Sequence, residues 1–312
     1  MTRMKIITIT LNPAFDVHCF SENFRPYHEN LAKITASEAG GKGVNISRAL
    51  TVCGTENLAF VVLGEENGES FSHAMSSDGM SYRTVSVPGR IRENITVHTD
   101  TADETRISFA GFDAPADLLS QVENALAGEI DGETVVTLTG RNPSGVGIEE
   151  TKACLRRFAE RGAKLVIDSR SFSLSDLVEM KPWLIKPNQE EISVYLGREI
   201  ESLGEVIEAA KDLHEGGMAN VMISLGSKGA LLVSDEGVFS AKPPKIEALS
   251  TIGAGDSSIA GFLAASAEGL GAKECLCRAV AYGTAACLTE GTKPPRPEDV
   301  TRVMGEIEVQ TM

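Results

Sequence analysis

Residues 5–11 read Lys5-Ile6-Ile7-Thr8-Ile9-Thr10-Leu11, a short β-branched run that is nearly continuous in its apolarity. A strand with one wet face alternates apolar and polar residues, so a run like this belongs in a sheet covered on both faces. Similar runs recur at Leu58 to Leu63, Thr134 to Leu138, Leu165 to Ile167, Trp183 to Ile185 and Val221 to Leu225. Helical patterns lie between them. One joins Val44, Ile46, Ala49, Leu50 and Cys53, and another joins Val206, Ile207, Ala210 and Leu213 before the stop at Gly216-Gly217. Strands alternating with such helices predict an α/β fold, a mostly parallel sheet with helices on both faces.

Two stretches break this rhythm. Residues 12–40 and 82–112, approximately, hold short alternating segments such as Ile95-Thr96-Val97-His98-Thr99 and Arg106-Ile107-Ser108-Phe109, with no helix between. They read as antiparallel strands inserted into the α/β body. Beside a large sheet, a small one serves as a lid, as the contact of a homodimer, or as both. No repeat or linker divides the chain, so residues 1–312 are expected to form one domain with these insertions.

Hydrophobic residues make up 42% and charged residues 23%, enough for a sizeable core. The formal net charge of −15 repels nucleic acid and anionic lipid, so neither is expected as a partner. A polyanionic ligand would need basic residues gathered locally. The six cysteines form no CxxC pair and no zinc spacing with histidine, which predicts reduced, mostly buried thiols. No stretch approaches the roughly 18 apolar residues that span a membrane. The start, MTRMKIITITLNP, lacks the features of a signal peptide, and a cytoplasmic location is expected.

The strongest local pattern is Ser250-Thr251-Ile252-Gly253-Ala254-Gly255-Asp256-Ser257, which leads into an apolar helical stretch, Ile259 to Ala264. Glycines ahead of a helix let backbone N–H groups converge, and the helix N-terminus adds partial positive charge, so Gly253, Ala254 and Gly255 form a candidate anion hole. Asp256 would repel an anion there but can take a proton from an attacking hydroxyl. Capping the helix is its competing role.

Three further runs carry candidates. Glu38-Ala39-Gly40-Gly41-Lys42-Gly43-Val44-Asn45 precedes a helix; the backbone at Gly41 and the amide of Asn45 suit hydroxyl groups, and Lys42 offers a cation. It is not a Walker A loop, because no Gly stands five residues before Gly41 and Gly43 occupies the Ser/Thr position. A plain turn-to-helix junction is the alternative. In Lys186-Pro187-Asn188-Gln189-Glu190-Glu191, Asn188 and Glu191 can face magnesium through water or close a capping box. Ser224-Leu225-Gly226-Ser227-Lys228-Gly229 can admit an adenine ring or phosphates, or simply turn a hairpin.

In order and spacing, the Asn12-Pro13-Ala14-Phe15-Asp16 stretch, GGKGVN at 40–45, KPNQEE at 186–191, SLGSKG at 224–229 and TIGAGDS at 251–257 resemble the ribokinase-like (PfkB) sugar kinases, most closely their 1-phosphofructokinase and tagatose-6-phosphate kinase branch. The resemblance covers essentially the whole chain. It implies a three-layer α/β/α ribokinase-like fold with a β-lid, the use of ATP and Mg2+, and Asp256 as catalytic base. It implies sugar contacts from Asp16, Gly41, Lys42 and Asn45, and holding of the transferred phosphoryl group by Gly253, Ala254 and Gly255. Nucleotide contacts are implied for Lys186, Asn188, Ser224, Gly226, Ser227, Gly229 and Gly255, with Glu191 on magnesium through water.

Two departures stand out. Ser250 replaces the usual Asp, and Thr139-Gly140-Arg141-Asn142-Pro143-Ser144-Gly145 replaces the usual SGSLPxG. Arg141 and Arg92 offer planar, multi-donor contacts suited to a substrate phosphate, with a solvated surface arginine as the alternative for each. The expected reaction is phosphoryl transfer from MgATP to a phosphorylated ketohexose, first D-fructose 1-phosphate at its C6 hydroxyl. The rival readings are a tagatose 6-phosphate kinase, a kinase for an unphosphorylated sugar or nucleoside, and a sugar-phosphate sensor without catalysis.

Overall fold

The structure, a computed structural model, describes residues 4–100 and 104–312. Chain order begins β1 (Lys5–Thr10), β2 (Ala14–Ser21), β3 (Lys33–Gly40), α1 (Lys42–Val52), β4 (Leu58–Gly64), α2 (Gly68–Ser77), β5 (Tyr82–Val87), β6 (Arg92–Thr99) and β7 (Glu104–Ser108). It continues through α3 (Leu118–Leu126), β8 (Thr134–Thr139), α4 (Ile148–Glu160), β9 (Lys164–Asp168), α5 (Leu174–Met180), β10 (Leu184–Ile185), α6 (Gln189–Leu196), α7 (Leu203–Glu215) and β11 (Asn220–Ser224). The remainder is β12 (Ala230–Ser234), β13 (Gly237–Lys242), α8 (Ala254–Ala267), α9 (Ala272–Ala286), α10 (Pro297–Met304) and β14 (Glu308–Thr311).

The continuous apolarity of β1 follows from its place. It lies inside a ten-stranded sheet of order β14-β13-β12-β11-β10-β9-β8-β1-β4-β5. Strands β5 through β11 in that order pair in parallel, and two hairpins and the terminal strand complete the sheet antiparallel. Ile7 and Ile9 join a core with α3 through α7, while Ile6 joins the opposite core with α1, α8, α9 and α10. Three layers result, as expected. No helix among the described residues is long and apolar enough to cross a membrane.

After β1 the chain builds outward to β4 and β5, then returns to add β8, β9, β10 and β11 on the other side. The strand order therefore reverses between β1 and β8. A crevice opens at the carboxyl ends of the strands flanking such a reversal, where a doubly wound sheet takes its ligand.

The second sheet has the order β3-β2-β6-β7. Its outer pairings are antiparallel, but the central pairing of β2 with β6 is parallel. Here the structure departs from the sequence expectation in two details: not every pairing is antiparallel, and Tyr82–Val87 is not part of this sheet. That segment forms β5 at the edge of the main sheet, parallel to β4. An edge strand is half solvated, so its side chains alternate just as those of a small lid strand do.

Candidate active site

Helices α1 and α8 both begin at the carboxyl edge of the main sheet on a glycine with a left-handed backbone. Gly41 has φ 114° and Gly253 has φ 78°, and neither helix start receives a side-chain cap. Glycine is needed at Gly41 for space as well, since an added Cβ would lie 2.9 Å from Thr10 Cγ2. Free N–H groups and the helix dipole make each start a place of positive potential.

Asp256, in the first turn of α8, is buried. It does not cap the helix: Asn45 Nδ2 of α1 donates to its Oδ2 at 3.0 Å. Burial pushes its carboxyl up to about 6, against Lys42 and the Asn45 hydrogen bond, which hold it down. Lys42 Nζ donates to Asp168 Oδ2 at 2.8 Å. Burial works against the charge on Lys42, but Asp168, Asp256 and Glu191 outweigh it and the ammonium ends above the usual lysine value. Asp168 is likewise desolvated, yet Lys186 and Lys42 hold its carboxyl below the usual range. Lys186 is buried, and its Nζ comes so near the turn that a Cβ at Gly255 would lie 3.1 Å from it. Two lysines and two aspartates thus alternate around the start of α8.

A second group gathers where the small sheet meets the crevice. Asn94 Nδ2 of β6 donates to Asp16 Oδ1 of β2 at 2.8 Å, and burial raises the Asp16 carboxyl. A Cβ at Gly40 would collide with Asp16 Oδ2, so that glycine gives the carboxylate its place. Arg92 Nη1 donates to Asn94 Oδ1 at 3.2 Å, while its buried Nε has no partner. Burial and the neighbouring Arg141 lower the Arg92 guanidinium despite Asp16. Asn12 Nδ2 donates to the Asn142 carbonyl at 3.3 Å, tying the loop after β1 to the one after β8.

The third group is Asn188, Glu191 and the 224–229 turn. Asn188 Oδ1 accepts from Glu191 N at 2.7 Å and Glu191 Oε2 accepts from Asn188 N at 3.0 Å, a complete capping box. Arg170 Nε donates to Glu191 Oε1 at 3.1 Å. Asn188 and Ser224 form an isolated bridge, with Ser224 N donating to Pro187 O at 3.0 Å. Gly226, Ser227 and Lys228 turn the hairpin from β11 to β12, and Gly229 needs its φ of 100° because a Cβ there would strike Ala241 O. Both bland alternatives, capping box and hairpin, are therefore present as structure.

Lys42 joins the first and third groups through Asp256, Asp168 and Glu191, and follows directly on the Gly40-Gly41 corner beside Asp16. Arg141 is exposed and makes no hydrogen bond or ion pair among the described residues. Asp168 was not singled out from the sequence. Its signal was available: it closes β9 at the carboxyl end of a parallel strand beside the reversal of strand order. Tyr195 was also missed; burial, Glu191 and Asp168 push its hydroxyl up to about 12. A cleft of about 770 Å³ lies at the other end of β1, around Lys5, Glu56 and Glu129, and holds none of these groups.

The chain is similar to known sugar-phosphate kinases. The 1-phosphofructokinase of Escherichia coli (strain K12) is 36% identical over 262 residues, 83% of each chain. That of Haemophilus influenzae is 33% identical over 278 residues, 88% of each. The crystal structure of phosphofructokinase-2 from Escherichia coli in complex with substrates and products superposes with a TM-score of 0.92 at 28% identity, covering 97% of this chain and 99% of that one. The sequence matches the pfkB family carbohydrate kinase description over residues 6–299. With that span matched and the α/β/α layers in place, the chain belongs to the pfkB family of carbohydrate kinases.

Proposed function

We propose that this kinase transfers the terminal phosphoryl group of MgATP to the C6 hydroxyl of D-fructose 1-phosphate, giving D-fructose 1,6-bisphosphate, with Asp256 as general base. The observation that carries this reading is Asp256 itself, buried, bonded to Asn45, pushed up to about 6 and standing at the uncapped start of α8. Such a carboxylate is mostly ionised at neutral pH yet binds a proton more readily than an exposed aspartate. The C6 hydroxyl gives its proton to Asp256 as its oxygen bonds to the γ-phosphorus. The bond from that phosphorus to the β–γ bridging oxygen breaks, and ADP leaves with the electron pair. The N–H groups around Gly253, Ala254 and Gly255, at a helix start without a side-chain cap and with Lys186 behind Gly255, suit the charge on the group in transfer.

Arg92 and Arg141 support a phosphorylated sugar. Two neighbouring guanidiniums without an ion-pair partner among the described residues call for an anion, and an unphosphorylated ligand would leave them unpaired. The relatives named 1-phosphofructokinase favour fructose 1-phosphate. Asp16, Gly41, Lys42 and Asn45 are assigned to the sugar hydroxyls. Ser224, Gly226, Ser227 and Gly229 are assigned to the nucleotide. Magnesium is assigned to the nucleotide substrate, with Asn188 and Glu191 toward its water shell.

The second sheet is assigned as a lid and as a homodimer contact. Val17, Ile95 and Ile107 lie opposite one another across β2, β6 and β7 on one face, and Ile34 and Ile107 are 66% and 46% exposed. A second copy would cover that face; if Ile34→Asp leaves the solution mass unchanged, the contact lies elsewhere.

The test of substrate is turnover, read as ADP release, with D-fructose 1-phosphate, D-fructose 6-phosphate and D-tagatose 6-phosphate. Fructose 1-phosphate should lead in kcat/KM by about tenfold or more. A lead for tagatose 6-phosphate would replace the substrate, and no ADP release with any of them would leave a sensor. Arg92→Ala and Arg141→Ala should each raise the KM for the sugar phosphate by about tenfold, in line with loss of a charge-assisted hydrogen bond, and leave that for ATP unchanged. Equal effects on both substrates would move these arginines to the other half of the site.

A further inference from the structure

The loop after α9 touches both halves of the proposed reaction. On one side, Thr292 Oγ1 donates to Glu38 Oε2 of β3 at 2.9 Å, across 254 residues of sequence. Thr292 is buried and Glu38 is half-buried, so the bond is partly shielded from water. On the other side, the Thr292 Cα lies 4.0 Å from where a Cβ at Gly253 would stand. The loop holds its shape through Thr289 Oγ1, which bonds the carbonyls of Ala286 and Lys293 at 2.8 Å each.

A second contact runs parallel to the first. A Cβ at Gly291 would lie 3.1 Å from His18 Nε2, so this glycine lets the imidazole of β2 rest on the loop. His18 Nδ1 is in turn 2.9 Å from His98 Nε2 of β6. Glu38 pairs with Asp16 across β3 and β2, and Asp16 is assigned to the sugar. The path from sugar to phosphoryl turn is therefore Asp16, Glu38, Thr292, Gly253.

We infer that the Glu38–Thr292 hydrogen bond is a strut that sets the spacing between the second sheet and the Gly253 turn, making Glu38 and Thr292 positioning residues for phosphoryl transfer. The inference rests on the reading of Asp256 and its turn given above. An in-line attack needs the acceptor oxygen near 3 Å from phosphorus, and an error of about 1 Å costs on the order of 10²-fold in rate. Asp16 lies in the second sheet and the turn opens α8, so a bond from β3 to the loop after α9 braces the spacing between them. A hydroxyl bonded to a carboxylate is a stiff, charge-assisted one.

The test uses Thr292→Val, which keeps the shape and removes the hydroxyl, Glu38→Met, the double variant, and Thr292→Ser. Each is measured for kcat, for both KM values and for its thermal melt. Either single change should lower kcat about tenfold with the KM for ATP unchanged. The double should be no worse than the worse single, because both remove one bond, and Thr292→Ser should restore most of the rate. A lowered melting temperature with kcat within about twofold of the parent would make the bond merely structural and overturn the inference. Losses that multiply in the double would overturn it as well. Asp256→Asn, measured alongside, separates the two ideas: if that variant keeps its turnover the base assignment falls, whereas if it is inactive and Thr292→Val keeps kcat within about twofold of the parent, the strut falls alone.

Discussion

Helices α6 and α8 both start beside the site, and their first turns are built in opposite ways. At α6 the side chains of Asn188 and Glu191 bond each other's backbone N–H groups, so the helix end is closed. Boxes of the same kind close α5 at Ser173 and α7 at Ser202. At α8 the cap position is Gly253, no side chain bonds the free N–H groups, and the one carboxylate of the turn faces Asn45 instead. Among the described helices only α1 and α8 begin on a positive-φ glycine. Closed ends do structural work, and open ends keep their donors for something that arrives. The two open, glycine-started ends differ from each other in charge, lysine at α1 and aspartate at α8, which fits one to holding and the other to proton removal.

The hardest blow to this contrast is Asp256→Asn. Turnover should fall by roughly 10²–10⁴ with sugar and ATP binding kept. Near-normal turnover would reduce α8 to an ordinary helix start. The same variant carries a stability signature. Because the folded state raises this carboxyl from 3.8 to about 6, it binds the proton more readily than the unfolded chain, and stability is lost as pH rises through that window. Asn removes the cost, so the variant should melt higher than the parent at about pH 8 and no higher at about pH 4.

Next in size is Lys42→Met, which tests whether the two open ends work together. Lys42 holds the Asp256 carboxyl down, so its removal lets that carboxyl rise further. The acid limb of the kcat/KM profile, expected near 6 in the parent, should move to higher pH, and the sugar KM should rise several-fold. An unmoved limb would uncouple α1 from α8.

The smallest effect sharpens the closed end. In Glu191→Gln the amide still accepts at the capping position, so the melt should barely move. Arg170 is mostly exposed, and losing that pair costs little. A magnesium titration at fixed ATP then isolates the charge: a requirement several-fold higher would assign Glu191 to the metal's water shell, and an unchanged curve would leave it a capping residue.

Much of the fold was legible. Ile6, Ile7 and Ile9 marked a doubly covered strand because only such a strand is apolar on successive residues, and the glycines at the starts of α1 and α8 marked open helix ends. Tyr82–Val87 was misassigned because a half-solvated edge strand and a lid strand alternate identically. Asp168 was passed over because the lysine it bonds, Lys42, lies 126 residues away in the chain.

What the sequence determined by itself are the features a short segment encodes, the period of its apolar residues, the backbone freedom of Gly41 and Gly253, and the box residues Asn188 and Glu191. Tertiary structure alone decided that Asn45 would meet Asp256, that Asp168 would sit between two lysines, and that Thr292 would reach Glu38. Those pairings depend on strand order and on burial. Asp256 rises to about 6 because water is excluded around it, and Asp168 is held below its usual range because Lys186 and Lys42 are brought near, and both conditions follow from the packing of the whole chain.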